Sequence, residues 1–523
     1  MKHNKYNGRF CYIVTLLLAI TVLNSCSKKL NEHVYSAVTS QNFYTTPDQV
    51  VAAYNMPYAF LQTVLYDVHF TMEEYSTDEA VATVKANQGY EDGKWIRFHR
   101  HTWTSGEDFI LYEWSNMFQG IGYCNNFIDD IQANDLSQMK LPVSKDQMIA
   151  EIKIMRAMYY YWALNDFGNI PIVQHVGEIN PVTKPRAEVF KFIETEIKDN
   201  IDKLDEKGSN YWYGHWTKSA AHALLAKLYL NAEVFTGKPR WNDCIAECDA
   251  VLNSNLYTLD PTWDAPFKVH NETSSENIWV VPHDVTYAPG FNAAQEQVPG
   301  ALKDKYNFVD YPWGKTVTQE SFFNLYDTSD NRIHQWLFGL QTYSNGDPVM
   351  GWYDLDGQPF VITPHIDMIN NPTAGYGQGV RNIKYEIEGS TSGQSQMQMN
   401  NDLVVFRLSD IMMMKAESVM RNNGGQANKQ AVDLVNLVRS RSFDPANPAA
   451  NYTVNSLTMD ELLNERGREF AYEMKRREDL IRFGKFESAW WEKPSDADKK
   501  RELYPIPLNI ITANPFLKQN DGY

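Results

Sequence analysis

Cysteine is scarce in this chain, and no usable pairing is apparent. Five occur in 523 residues, and Cys11 and Cys26 lie in or beside an N-terminal apolar leader. Cys124, Cys244 and Cys248 remain, an odd number. Cys244 and Cys248 are four apart in a helical pattern, an awkward geometry for a bridge, so buried free thiols are expected instead of a disulfide scaffold. No His or Cys cluster accompanies them as a metal motif requires. Long basic runs are missing too. The formal charge is −17, and since residues 1–25 hold Lys2, Lys5 and Arg9 but no acid, the rest carries −20. A nucleic-acid partner needs concentrated basic surface, so none is expected. Glycine-rich phosphate loops, nucleophile elbows and paired-histidine motifs are also lacking, and with them any sign of catalytic residues, cofactor or metal.

What the N-terminus does have is a secretory pattern. A basic head precedes the mostly apolar run from Phe10 to Leu23, which is shorter than the ~20 residues a spanning helix needs. The run ends in Leu23-Asn24-Ser25-Cys26, which resembles a bacterial lipobox. Acyl chains on Cys26 would then anchor the protein to a membrane without crossing it. The expected organisation is a signal peptide over 1–25, a lipidated tether over 26–40 and helices over 41–255. A loop-rich region over 256–400 and a second helical region over 401–523 complete it.

Helical periodicity carries the first and last of the folded regions. Val50, Tyr54, Tyr58, Leu61 and Leu65 recur at intervals of three and four. Helices are predicted near 110–133, 145–167, 187–205, 217–235, 241–253, 409–422, 426–441 and 459–483. In the fourth, small residues (Ala221, Ala223, Ala226) permit close helix approach, and a Gly-Lys-Pro turn reverses the chain into the fifth. That pairing resembles a tetratricopeptide-type hairpin. Thr458 and Glu461 fit a capping box at the start of the last helix. Between 255 and 400 glycine, proline and aromatics dominate and periodicity fades.

Several polar patterns have plain structural readings. Glu465/Arg468, Glu473/Arg476 and Glu473/Arg477 lie three or four apart, as a salt-bridge ladder along one helix does. His99 and His101 would share one face of a strand without a third ligand. Asp354–Gly357 opens like a calcium loop, but His365 stands at the twelfth position and a hairpin turn is expected.

Several segments, taken in order, resemble the SusD/RagB family of outer-membrane lipoproteins. They are "NFYTTPDQVVAAY", "WTSGEDFILYEWSNMFQGIGYCNNFID", "EIKIMRAMYYYWALNDFGNIPIV", "LLNERGREFAYEMKRREDLIRFGKF" and the closing "YPIP" and "NPFLKQNDGY". In the fourth, Glu465, Arg466, Glu469, Glu473, Arg476, Asp479, Leu480, Arg482 and Gly484 match the family pattern. Ser27-Lys28-Lys29 departs from the acidic residues that often follow the lipidated cysteine.

The resemblance implies a mainly α fold in which tetratricopeptide-type helix pairs pack against a loop-rich half. It also implies a non-enzymatic role at the outer membrane: capturing oligosaccharides and passing them to a TonB-dependent, SusC-like transporter. Peptide or other nutrient binding, a protein-interaction scaffold and an extracellular glycoside hydrolase stay open as alternatives. With 14 Trp and 30 Tyr, rings are plentiful, and flat rings stack on the C–H faces of sugars. The segments corresponding to the family's ligand loops carry Tyr90, Trp95 and Trp103, then Tyr287, Phe291, Tyr311 and Trp313. Tyr90 and Trp313 lie beside Gly89 and Gly314 and rank first among the expected ligand contacts.

Overall fold

The computed structural model describes residues 43–208, 213–352, 357–388, 398–443 and 447–523. Cys26, the tether, Asp354 and most of the polar 389–402 segment lie outside the described residues. Pro47–Tyr523 form one compact unit.

Helix α1 (Pro47–Val64) buries Val50, Tyr54 and Leu61, the predicted stripe, and runs through a π turn (Leu65–His69) into α2 (Phe70–Glu74). Strand β1 (Ala80–Ala82) and the short α3 (Lys94–His99) follow. Next come α4 (Asp108–Ala133), α5 (Lys145–Phe167), α6 (Arg186–Lys198), α7 (Lys218–Leu230) and α8 (Trp241–Ser254). After the loop-rich segment the chain resumes with α9 (Leu408–Asn422), α10 (Lys429–Ser440), α11 (Met459–Phe470) and α12 (Arg476–Arg482). From α4 to α10 each helix packs on the one before it, and α9 packs directly on α8 although residues 255–407 lie between them. The loop-rich segment is thus an excursion between two neighbouring rungs of one helical ladder.

Side-chain caps set several of the starts. Ser144, Thr217, Asn428 and Thr458 each accept a hydrogen bond from the amide three residues on, satisfying a donor the helix leaves open. Helix α5 is buried at every residue from Ile154 to Phe167, as a helix at the centre of a packed body must be. Its crossing with α4 is close: a Cβ on Gly120 would overlap the Tyr159 ring. Gly120→Ala should therefore lower stability by roughly 1–3 kcal/mol through overpacking. An unchanged denaturation midpoint would show that the ring can step aside. Cys124, Cys244 and Cys248 are free and buried, as expected.

Among the described residues sheet is confined to two-stranded ribbons. Strand β2 (Asn277–Val281) pairs antiparallel with β4 (Leu403–Arg407), and β1 pairs antiparallel with β3 (Thr316–Thr318), matching Ala80 to Thr318 and Ala82 to Thr316.

Three sequence expectations need correction here. The single helix over 459–483 is two helices, broken at 471–475, where Tyr472 and Met474 take positive φ. Carboxylates replace the lost helical acceptors: Glu79 Oε1 accepts from the Tyr472 amide at 2.6 Å and Glu74 Oε1 from that of Met474 at 2.7 Å. The ladder of charges along it is likewise only partly present. Arg468 does bind Glu465 at 2.9 Å, but Arg476 pairs with Asp78, and Glu473 with Arg407 and Lys384. These charges are buried and reach across the fold. Arg407 donates to Glu276, Glu469 and Glu473 at 2.8–2.9 Å. Arg332 binds Asp330, Glu465 and Glu469 at 2.7–2.9 Å, and Arg441 joins Glu276 to Glu469. The network fastens the loop-rich excursion (Glu276, Asp330, Arg332) to α11. Burial alone would raise these carboxyls, but the guanidiniums of Arg332, Arg468 and Arg439 outweigh it and bring Glu465 down to about 2. Glu276, Glu469 and Glu473 are also held below the usual range by their arginines.

The other charged motif is also structural. His99 ends α3 instead of lying on a strand, and its Nε2 meets the Trp491 carbonyl at 2.6 Å. His101 sits between Asp496 and the Ser76 carbonyl at 2.6 and 2.9 Å.

Candidate functional site: an aromatic cleft

A cleft of about 300 Å³ opens where three segments of the chain converge. The loop between β1 and α3 contributes Thr83, Lys85, Gln88, Gly89 and Glu91; the segment leading into β3 contributes Tyr311, Pro312, Trp313 and Lys315; Trp352 and Tyr376 complete the wall. The volume is at the lower end of small-ligand pockets.

The backbone beneath these side chains is firmly held. The β1/β3 ribbon brings the first two segments together. Lys85, almost fully buried, donates to the carbonyls of Gly314 and Lys315 at 3.1 and 3.0 Å. Burial, with repulsion from Arg381 and Lys315, holds its ammonium well below the usual lysine range. The amides on either side of the turn at Gly314 are pinned: Trp313 N to the Gln295 carbonyl and Lys315 N to the Glu296 carbonyl, both 2.7 Å. Gly314 itself has φ +56°, and a Cβ there would meet Pro299 Cα at 2.9 Å. Only glycine lets the chain turn so tightly and turn the Trp313 ring outward.

The rings form a platform. Tyr311 and Trp352 stack with centroids 4.7 Å apart and planes within 10°, and Tyr376 lies beyond Trp352 at 6.0 Å. The Tyr376 hydroxyl donates to Gln88 Oε1 at 2.9 Å, joining the wall to the opposite loop. Trp352 rests on Gly300, where a Cβ would stand 2.8 Å from the ring. Trp313 and Tyr311 are each about half exposed, at 53% and 50%. Among the described lining residues the one carboxylate is Glu91, and it is paired with Lys94 at 3.1 Å. Rings beside the Gln88 amide and the Thr83 hydroxyl suit a neutral polyhydroxylated ligand: apolar faces stack and polar groups take hydroxyls.

The structure sorts the six sequence-predicted contacts. Tyr311 and Trp313 come together in the cleft, and Tyr90 stands at its rim, exposed, between the lining residues Gly89 and Glu91. Tyr287 is 90% exposed on a turn closed by Asp284 and Ala288 and does not line the cleft. Trp95 and Trp103 are corrected: both are buried. Trp95 is boxed by Phe109 and Tyr75, with the Lys315 ammonium 5.0 Å from its ring. Trp103 donates from Nε1 to the Tyr523 hydroxyl at 2.8 Å and packs on Tyr504. Phe291, named beside them, is fully buried as well. Trp352 and Tyr376 were missed, although Gly351 before Trp352 is the same glycine-beside-ring signal that marked Trp313.

Comparison with known proteins follows the same lines. The model of the SusD family matches residues 195–523, and one described as "Starch-binding associating with outer membrane" matches residues 58–230. The starch-binding protein SusD of Bacteroides thetaiotaomicron is 25% identical over 502 residues, covering 88% of this chain and 86% of its own. A SusD homolog from the same organism superposes with a TM-score of 0.75 at 17% identity, over 92% of this chain and 98% of that one. Surface glycan-binding protein A of that organism, solved with laminarihexaose, gives 0.72 at 19% identity over 91% and 100%. At such identities the structures establish the fold, mainly helical as expected. With a family model spanning well over half its length, the chain belongs to the SusD family.

Proposed function

We propose that this protein is a glycan-binding lipoprotein that captures an oligosaccharide in the aromatic cleft and passes it to a TonB-dependent, SusC-like transporter. The observation that carries the reading is the ring platform of Tyr311, Trp352 and Trp313 on a pinned backbone, in a chain whose relatives are starch- and glycan-binding proteins. Tyr90 at the rim extends the contact surface, and Tyr376 backs the platform from within. The role is binding without turnover. Glycoside hydrolysis commonly uses two carboxyl groups flanking the scissile bond, and the described lining offers Glu91 alone, already paired. Calorimetry against a panel of α- and β-glucan oligosaccharides tests the reading. Saturable binding without sugar release is expected; release of sugar that a carboxylate substitution abolishes would favour the hydrolase instead.

Placement at the outer membrane follows from a lipid on Cys26, a residue outside the described ones. No described helix is long and apolar enough to cross a membrane. Cys26→Ser should move the protein from the membrane to the soluble fraction on cell fractionation. Retention of the variant in the membrane would remove the anchor from the reading.

A further inference from the structure

A second group of polar residues lies in the interior, on the helical side of the fold, and takes no part in the cleft. The π turn at Leu65–His69 aims His69 inward; local π geometry of this kind often marks a functional site. His69 Nδ1 lies 2.8 Å from Glu113 Oε1 on α4 and 3.9 Å from Asp166 Oδ2 near the end of α5. One ligand atom from each of the three falls within 4.8 Å of the others, and all three residues are at most 2% exposed. Glu113 Oε2 and Asp166 Oδ2 are fully buried and meet no hydrogen-bond donor.

The charges do not balance. Glu73 adjoins the group; Arg477 lies 3.5 Å from Asp166 and 3.8 Å from Glu73, and the nearby Lys227 is paired with Glu478. If all three carboxyls were ionised, one guanidinium would leave two negative charges in a site closed to water, where an uncompensated charge is very costly. Asn165 donates to both Glu73 and Asp166, at 3.4 and 3.3 Å, as outer-shell groups that orient ligands do.

We propose that His69, Glu113 and Asp166 form a buried site for one divalent first-row transition-metal ion of the zinc class. Tetrahedral bonds of ~2.1 Å place ligand atoms roughly 3.4 Å apart, between the two separations seen. The imidazole distinguishes the site from all-oxygen calcium and magnesium sites. A dication cancels the two surplus charges and ties the π turn to α4 and α5. Enclosed as it is, the ion enters on folding and leaves on unfolding.

The test uses the purified full chain, produced with zinc in the medium and dialysed against metal-free buffer. Elemental analysis, and guanidinium unfolding with a chromophoric chelator, should each find about one transition-metal equivalent per chain. X-ray absorption at the metal edge should show a nitrogen and oxygen shell with imidazole scattering. Asp166→Asn and Glu113→Gln should lose the ion. Three results overturn the site: no stoichiometric metal, or calcium or magnesium only; a sulfur-containing shell, which would move the ion to the cysteines; or folded variants that keep it. The wild-type measurements decide the matter even if neither variant folds.

Discussion

Arg407→Met is expected to destabilise the protein by roughly 3–5 kcal/mol, the penalty for removing one partner from a buried ionic cluster. The side chain contacts Glu276, Glu469 and Glu473, none of which reaches water. Arg441 and Lys384 remain, but they are already engaged with the same carboxylates. Chemical denaturation of the variant and of Arg407→Met combined with Glu473→Leu checks the cause. If uncompensated charge is the penalty, the double variant should recover part of the loss. A single-variant loss below about 1 kcal/mol would mean that the cluster behaves like an exposed ion pair.

The same cluster fixes a pH dependence. Glu465 titrates at about 2 in the fold and near 4.3 in an unfolded chain. A folded-state pKa below the unfolded value gives stability that is complete above about pH 4.3 and drains away as pH falls towards 2. For Glu465 that share is on the order of 3 kcal/mol. Glu465→Gln should be less stable than wild type at pH 7, and the gap should narrow between pH 4.5 and 2. Parallel profiles across that window would show that Glu465 is not held as its arginines imply.

Trp352→Ala should weaken binding of whichever oligosaccharide the wild type takes by roughly 5- to 150-fold, the value of about 1–3 kcal/mol for one stacked ring. Loss of Trp352 also leaves Tyr311 without the ring it lies flat against, so the platform loses its flatness as well as its area. Trp313→Ala should fall in the same range with the fold intact, because about half of that ring is already in water. Tyr90→Ala, at the rim, should cost less than either. Calorimetry on the three variants checks the order. Wild-type affinity in both tryptophan variants would move the ligand to another surface, and the exposed ring of Tyr287 would be examined next.

Helices were legible in the sequence because a period of 3.6 is written locally. The bounds of α5 and α8 follow closely from residue spacing, and the start of α11 from its cap at Thr458. The break between α11 and α12 was not legible: no glycine or proline marks it, and its cause is Glu74 and Glu79, about 400 residues away. The cleft was half legible for a similar reason. A glycine beside an aromatic residue marks a turn that turns a ring outward, and the rings of Tyr90 and Trp313 are both exposed. Whether a ring in such a segment faces water or the core depends on what packs over it. Phe109 and Lys315 cover Trp95, and Tyr504 and Tyr523 cover Trp103. Spacing carries no trace of those partners.

The excursion of residues 255–407 between α8 and α9 has a consequence for how such proteins diversify. Its two ends are held together by adjoining helices, and the entropy of closing a long loop grows only with the logarithm of its length, about 0.6 kcal/mol for each doubling. Insertions and deletions in its loops therefore add little to the free energy of assembling the ladder. The surface this excursion presents can be rebuilt, in length as well as in sequence, while the scaffold keeps its thermodynamic footing.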